Sequence, residues 1–266
     1  EAIKDKNQYV AVSASGALAN VGEASVSALL RMLWYKDIKV RELASNALSR
    51  IGEPAVLALS EALRDKSENV RINSSRALAI IGSASKKAVP SLVLALKDNN
   101  EDVRNYALEA LSKIGEPAVD LLIEALKNED KDVRYLSIKV LSNIGPNAKK
   151  SVQSLVSILN DESREIRFQA SFALGKIGYA AVPDLLSALK NENKYISLGA
   201  AMALINIGYE SRRAVPVLVI ALEDPDEDVR FYAALVLKKI GTEEAKKALE
   251  EYQEEQKEKE REQEKV

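Results

Sequence analysis

At 266 residues, with 47% apolar side chains, the chain can bury a substantial core, but aromatics make up only 5%, so small aliphatic residues must do the packing. A formal net charge of −2 provides no global positive field for nucleic acid. The chain has neither Cys nor His, which excludes disulfides, thiolate chemistry, the commonest general base and the commonest metal ligand.

Along the chain, Glu1-Ala2-Ile3-Lys4-Asp5-Lys6 matches Glu61-Ala62-Leu63-Arg64-Asp65-Lys66 at an offset of 60 residues. Residues 1–6 therefore read as the tail of a second helix from a truncated upstream repeat. From residue 7 one phrase recurs, starting near 7, 37, 67, 100, 130, 163, 193 and 226. Each copy opens on an N-cap type, namely Asn7, Asp37, Ser67, Asn100, Asp130, Ser163, Asn193 and Asp226, whose side-chain oxygens accept from unpaired backbone N–H groups. Val or Ile stands three residues later and is followed by Arg41, Arg71, Arg104, Arg134, Arg167 and Arg230. In the two weaker copies, at Val10 and Ile196, Ala11 and Ser197 replace the Arg. A glycine closes each phrase, at Gly22, Gly52, Gly82, Gly115, Gly145, Gly178, Gly208 and Gly241, and the spacing is always 30 or 33. A period of that size predicts a solenoid.

Within one copy, Val103, Ala107, Ala110, Leu111 and Ile114 form a stripe at helical spacing, and Gly115 ends that helix in a left-handed conformation. The residue four after the Val or Ile is always Ala or Ser, which lets two helices approach closely. A second helix follows, as in Ala118 to Leu126, opened in places by Pro54 or Pro117. The Arg is expected to be structural, each guanidinium pairing with an acidic group of an adjacent repeat.

The phrase Asp-x-x-Val-Arg-x-x-Ala-x-x-Ala-Leu-x-x-Ile-Gly, followed by Ala-Val-Pro-x-Leu, resembles the HEAT-like repeat of the phycobilisome-lyase type. The resemblance implies an all-α fold, a right-handed α-solenoid of about eight HEAT-like two-helix repeats, spanning 7–252. It also implies a range of roles, from chromophore lyases to adaptors and scaffolds. HEAT-like deoxyhypusine hydroxylases hold iron with His-Glu pairs, which this His-free chain lacks.

Function is expected where the repeats differ. In the long repeats the extra residues between helices bring Lys86-Lys87, Lys149-Lys150 and Arg212-Arg213, one pair every 63 residues. This basic edge reads either as solvated helix ends or as a track for an anionic partner. The outermost first-helix positions are polar in the fourth repeat (Asn105, Glu109, Ser112). In the sixth to eighth repeats they are apolar: Phe168, Phe172, Leu198, Met202, Ile205, Phe231 and Leu235. Such a convex patch is either a partner or self-association surface, or is covered by the C-terminal segment. Outward second-helix positions would line the concave face: Tyr35, Leu57, Glu61, Leu94, Leu121, Glu124, Asp184, Val217 and Ile220, with Ser91, Ser154, Ser157 and Ser187 between. Apolar spots with few positive charges suit a peptide or protein segment better than a phosphate backbone. Trp34 and Tyr35 serve as an anchor there or cover the upstream junction.

No catalytic, cofactor or metal site is expected. Asp224, Asp226 and Asp228 resemble the start of a calcium loop, but Val229 and Leu235 stand where Gly and Glu belong, so helix capping explains them better. Residues 253–266 hold no apolar side chain before Val266 and read as a charged solvated helix or disorder, after a closing stripe of Ala245, Ala248, Leu249 and Tyr252. The longest apolar run, Ala214 to Leu222, is too short to span a bilayer. The expectation is a cytoplasmic, non-enzymatic scaffold or adaptor that binds another protein. The alternative is a lyase or chaperone-like helper for a cofactor-bearing protein, and nucleic-acid binding ranks behind both.

Overall fold

The stripe from Val103 to Ile114 sits on one face of a helix running Glu101–Ile114, and in a computed structural model all five of its side chains are buried. The structure describes residues 2–263. Glu1 of the expected upstream tail, and 264–266 of the expected charged tail, lie outside the described residues. The chain forms two units, Glu1–Ile144 and Gly145–Val266.

In the first unit the helices are α1 (Gln8–Val21), α2 (Val26–Met32), α3 (Ile38–Ile51), α4 (Val56–Ala62), α5 (Glu68–Ile81), α6 (Val89–Ala95), α7 (Glu101–Ile114), α8 (Val119–Ala125) and α9 (Lys131–Ile144). The second contains α10 (Val152–Ile158), α11 (Arg164–Ile177), α12 (Val182–Leu189), α13 (Lys194–Ile207), α14 (Val215–Ala221), α15 (Glu227–Ile240) and α16 (Glu243–Gln263). No strand occurs among the described residues. Short 3-10 turns join the two helices of a repeat. In the long repeats the extra residues extend that turn to Gly82–Ala88, Gly145–Ser151 and Gly208–Ala214. Pro54 and Pro117 lie in such turns rather than in the second helices they were expected to open.

In the first unit α1, α3, α5, α7 and α9 pack in sequence, with α2, α4, α6 and α8 as a second row; in the second unit α13 packs between α11 and α15. Ala44, Ala107, Ala170 and Ala200, each four after its repeat's Val or Ile, are fully buried at these contacts. Leu29, Leu59, Leu92 and Leu122 fill the space between rows, each burial stabilising by roughly 1.5–3 kcal/mol. No helix could bury its stripe alone, so stacking supplies the stability.

The caps form as the sequence suggests. Asn7, Asp37, Asn100, Asp130, Ser163, Asn193 and Asp226 accept from N–H groups of their helices, whereas Ser67 makes no side-chain cap bond. A second layer went unread in the sequence. The Asp or Asn two residues before most caps, such as Asp5, Asp98, Asp161 and Asp224, accepts from the cap residue's own N–H. Asp224 and Asp226 thus serve as caps, and Asp228 pairs with Lys194 at 3.3 Å.

Two expectations need correction. Gly115 does have positive φ, at 77°, but its ψ of −135° lies outside the left-handed helical well; only a residue without Cβ adopts it readily. Gly241, at φ 67° and ψ 18°, does adopt the left-handed helical conformation expected of Gly115. The Arg ladder is also wired differently. Arg41 Nη1 donates to the carbonyls of Tyr35 and Lys36, both at 2.7 Å, and Arg104, Arg134, Arg167 and Arg230 grip the equivalent carbonyls five and six residues back. Each guanidinium clamps the loop that leads into its own helix by pairing with two of that loop's carbonyls. Arg71 adds the expected interrepeat pair, with Nε 2.6 Å and Nη2 3.0 Å from the Asp98 carboxylate. Burial opposes charge on Asp98, but the Arg71 hydrogen bonds, the Asn100 N–H and the charges of Arg71 and Arg104 hold its carboxyl below the usual range.

Two apolar stretches, Glu68–Ala95 and Arg164–Leu189, match a membrane span in length and composition. Neither is a single helix: Gly82 and Gly178, at φ 65° and 78°, break each into two helices joined by a 3-10 turn. At the C-terminal end, Ala245 and Ala248 are buried where α16 packs on α14 and α15, Leu249 and Tyr252 are half-buried, and residues 253–255 are exposed.

Candidate interaction surfaces

In the first unit α4, α6 and α8 are two-turn helices packed in a row. Each buries its Val and Leu against the first helices and turns the opposite side outward. Leu57, Leu94 and Leu121 stand on that side, Leu57 59% and Leu94 60% exposed, with Glu61 and Glu124 exposed beside them. Lys127 reaches the Glu124 carboxylate at 3.0 Å. Ser91 is not part of this surface: it is buried and accepts a hydrogen bond from Ser60 Oγ at 2.9 Å, joining α4 to α6. Trp34 and Tyr35 lie beyond the end of α2, both exposed, and the Lys4 ammonium rests 4.4 Å from the Tyr35 ring centroid.

In the second unit the equivalent side carries half-buried Asp184 on α12, half-buried Val217 on α14 and Ile220, which is 63% exposed. A cleft of about 340 Å³ opens there, lined by Gln153, Ser157, Asp184, Ser187 and Asn191 among others.

The outer first-helix face of the second unit follows the expected phase only in part. Phe168 and Phe231 are each 57% exposed, and Phe172 and Leu235 are also exposed. Leu198, Met202 and Ile205, on α13 between α11 and α15, are half-buried. Lys176 lies 5.2 Å from the Phe172 centroid, and Arg167 lies 4.1 Å from that of Tyr195.

The basic pairs Lys86-Lys87, Lys149-Lys150 and Arg212-Arg213 are exposed on the turns between helices. Their surroundings differ: Lys87 meets Glu53 at 3.1 Å, whereas Arg213 donates to the Tyr179 hydroxyl at 2.7 Å. Sequence reasoning passed over Tyr179 and Tyr209. The signal was there, in a tyrosine directly after the repeat glycine where Glu23, Glu53 and Glu116 stand earlier in the chain. Among the described residues no cluster of three or more carboxylates could hold a metal ion.

Paired helices repeated with a conserved interior and a variable exterior define an α-helical repeat protein. The family profile described as HEAT repeats matches residues 37–99, 56–142, 89–161, 152–212 and 182–264, and the chain belongs to that family. No curated protein sequence matches the chain. Among solved structures, importin beta is 15% identical with a TM-score of 0.51, over 91% of this chain and 40% of its own. YibA from Escherichia coli is 22% identical with a TM-score of 0.43, over 90% of this chain and 89% of its own. An engineered protein is 24% identical with a TM-score of 0.39, over 70% of this chain and 96% of its own. The importin beta likeness is one of fold, and this chain spans well under half of that protein.

Proposed function

We propose that the protein is a non-enzymatic scaffold whose outward second-helix face in the first unit holds an extended segment of another protein. The observation that carries this reading is the row of exposed leucines, Leu57, Leu94 and Leu121, on three consecutive packed helices. Helices packed ~8–10 Å apart present one apolar spot for about every third residue of an extended strand that crosses them. Glu61 beside the leucines favours a segment carrying Lys or Arg. Burying one leucine fully stabilises by roughly 1.5–3 kcal/mol, so three partly exposed ones supply little beyond the cost of association. Specific affinity then requires a further anchor, and Trp34 and Tyr35 are suited to that role. The outer face bearing Phe168, Phe172, Phe231 and Leu235 is a second docking surface, for a partner or another copy.

The test is selection from a displayed peptide library on the immobilised protein. Enrichment of sequences with apolar residues about every third position and interspersed basic ones supports the reading, provided a variant with Leu57→Ser, Leu94→Ser and Leu121→Ser loses them and keeps its circular dichroism. Enrichment that survives the triple variant removes it. The second surface is tested on Phe168→Ser with Phe231→Ser: a solution mass and partner set identical to those of the parent protein would rule it out.

A further inference from the structure

The position after the repeat glycine changes chemistry between the units. In the first unit it is Glu23, Glu53, Ser83 and Glu116, and the ion pair of Lys87 with Glu53 cancels its own charge. In the second unit it is Pro146, Tyr179, Tyr209 and Thr242, with no carboxylate among them. The Arg213 guanidinium lies 5.3 Å from the Tyr179 ring centroid while donating one hydrogen bond to its hydroxyl, and Arg212 lies 4.9 Å from the Tyr209 centroid. A phenol orients a guanidinium as a carboxylate does, but leaves its positive charge uncompensated. Arg213 uses one of its five N–H donors on Tyr179. The two arginines, Tyr179 and Glu210 line a cleft of about 230 Å³, so two guanidinium groups face one carboxylate among the described residues. The turn Gly145–Ser151, bearing exposed Lys149, packs against the turn Gly178–Ala181, which packs in turn against Gly208–Ala214. One edge of the unit therefore carries Lys149, Tyr179, Tyr209, Arg212 and Arg213.

We propose that this edge is a binding site for an acidic protein segment, separate from the leucine row of the first unit. Its carboxylates would pair with the two guanidinium forks, whose planar geometry matches a carboxylate in two-bond fashion. Its apolar or aromatic side chains would lie against Tyr179 and Tyr209. A nucleic-acid strand fits less well. Backbone-driven binding draws on roughly 6–10 phosphate contacts, more cations than this edge presents, and the net charge of −2 adds no steering field.

Fluorescence anisotropy at low ionic strength tests the proposal, using a short fluorescein-labelled Glu-rich peptide and a single-stranded thymidine oligonucleotide of equal charge. The peptide is expected to bind saturably and more tightly than the oligonucleotide. Arg212→Glu with Arg213→Glu should weaken peptide binding by at least about tenfold, with Arg212→Gln and Arg213→Gln as a milder pair if the double charge reversal disturbs folding. Tyr179→Glu, which installs the first unit's residue, should weaken it severalfold. The variant lacking Leu57, Leu94 and Leu121 should bind this peptide as the parent does, so the two surfaces stand or fall separately. No peptide binding, peptide affinity unchanged in the folded arginine variants, or tighter binding of the oligonucleotide would each overturn the proposal.

Discussion

In the first unit Lys87 closes on the Glu53 carboxylate, while in the second Arg213 closes on the Tyr179 phenol. In the first unit the outer positions of α7 are Asn105, Glu109 and Ser112, while in the second those of α11 include Phe168 and Phe172. Beneath these differences the interiors are alike: Leu111 and Leu174 occupy the same repeat position, and both are fully buried. The contrast shows how a repeat array divides its sequence. Positions that touch the next helix are held to one answer by packing, and positions that touch solvent are free to acquire a partner.

The sharpest test of that shared interior is truncation at matched core sites. Leu111→Ala in the first unit and Leu174→Ala in the second should each cost about 2–5 kcal/mol, since both leave a cavity among packed aliphatic side chains. Urea unfolding followed by hydrogen exchange resolved along the chain would measure the two separately. A loss in one unit several times that in the other would break the claim that the interiors are equivalent.

Much of this fold could be read from the sequence because its determinants are local. The caps from Asn7 to Asp226 and the positive-φ glycines act within their own helix ends, so spacing alone locates them. What escaped depends on neighbours. Periodicity places Leu198, Met202 and Ile205 on the outward side of α13, but it does not register how far neighbouring side chains cover them, and all three are half-buried. It places Ser91 on an outward turn without revealing that Ser60 waits across the gap. The arginines were matched to carboxylates because sequence displays side chains. Their actual recipients are mostly backbone carbonyls, which every residue has and no composition betrays. The surfaces were half legible for the same reason: exposed leucines and lysines announce themselves, whereas the role of Tyr179 appears only beside Arg213.

A smaller effect is a pH dependence centred on one clamp of the first unit. Asp98 belongs to the first unit, and its carboxyl is held below the ordinary carboxylate value when folded. A group with a lowered folded-state pKa contributes its full stabilisation above the unfolded value of about 3.9, and that contribution is lost as pH falls through the folded value. Asp98→Asn, which removes the charge from the two-bond pair with Arg71, should cost roughly 1–3 kcal/mol at neutral pH. It should also flatten the acid side of the stability profile for the first unit alone. A parallel shift in the second unit, read by the same site-resolved exchange, would show that the effect is not local to this clamp.

The smallest expected change is a gain, and it arises where the repeat rule lapses. Ala11 stands where Arg41 stands one repeat later, and the space beside it is a cavity of about 450 Å³ whose lining includes Lys4, Asp5, Lys6, Ala11 and Asp37. The clamp geometry elsewhere is regular: an Arg at this position donates to the carbonyls five and six residues before it, which here are those of Lys6 and Asp5. Ala11→Arg should therefore fill part of the cavity and add hydrogen bonds worth about 0.5–1.5 kcal/mol, seen as a raised midpoint of thermal unfolding and slower exchange in α1. Ser197, the matching gap in the second unit, is nearly fully buried, and its hydroxyl has no hydrogen-bond partner. Ala11 is buried to the same degree, at 5% against 4%, so what sets it apart is the cavity beside it, and Ser197→Arg is expected to gain less. Equal gains at both sites would mean that the cavity beside Ala11 does not govern the outcome.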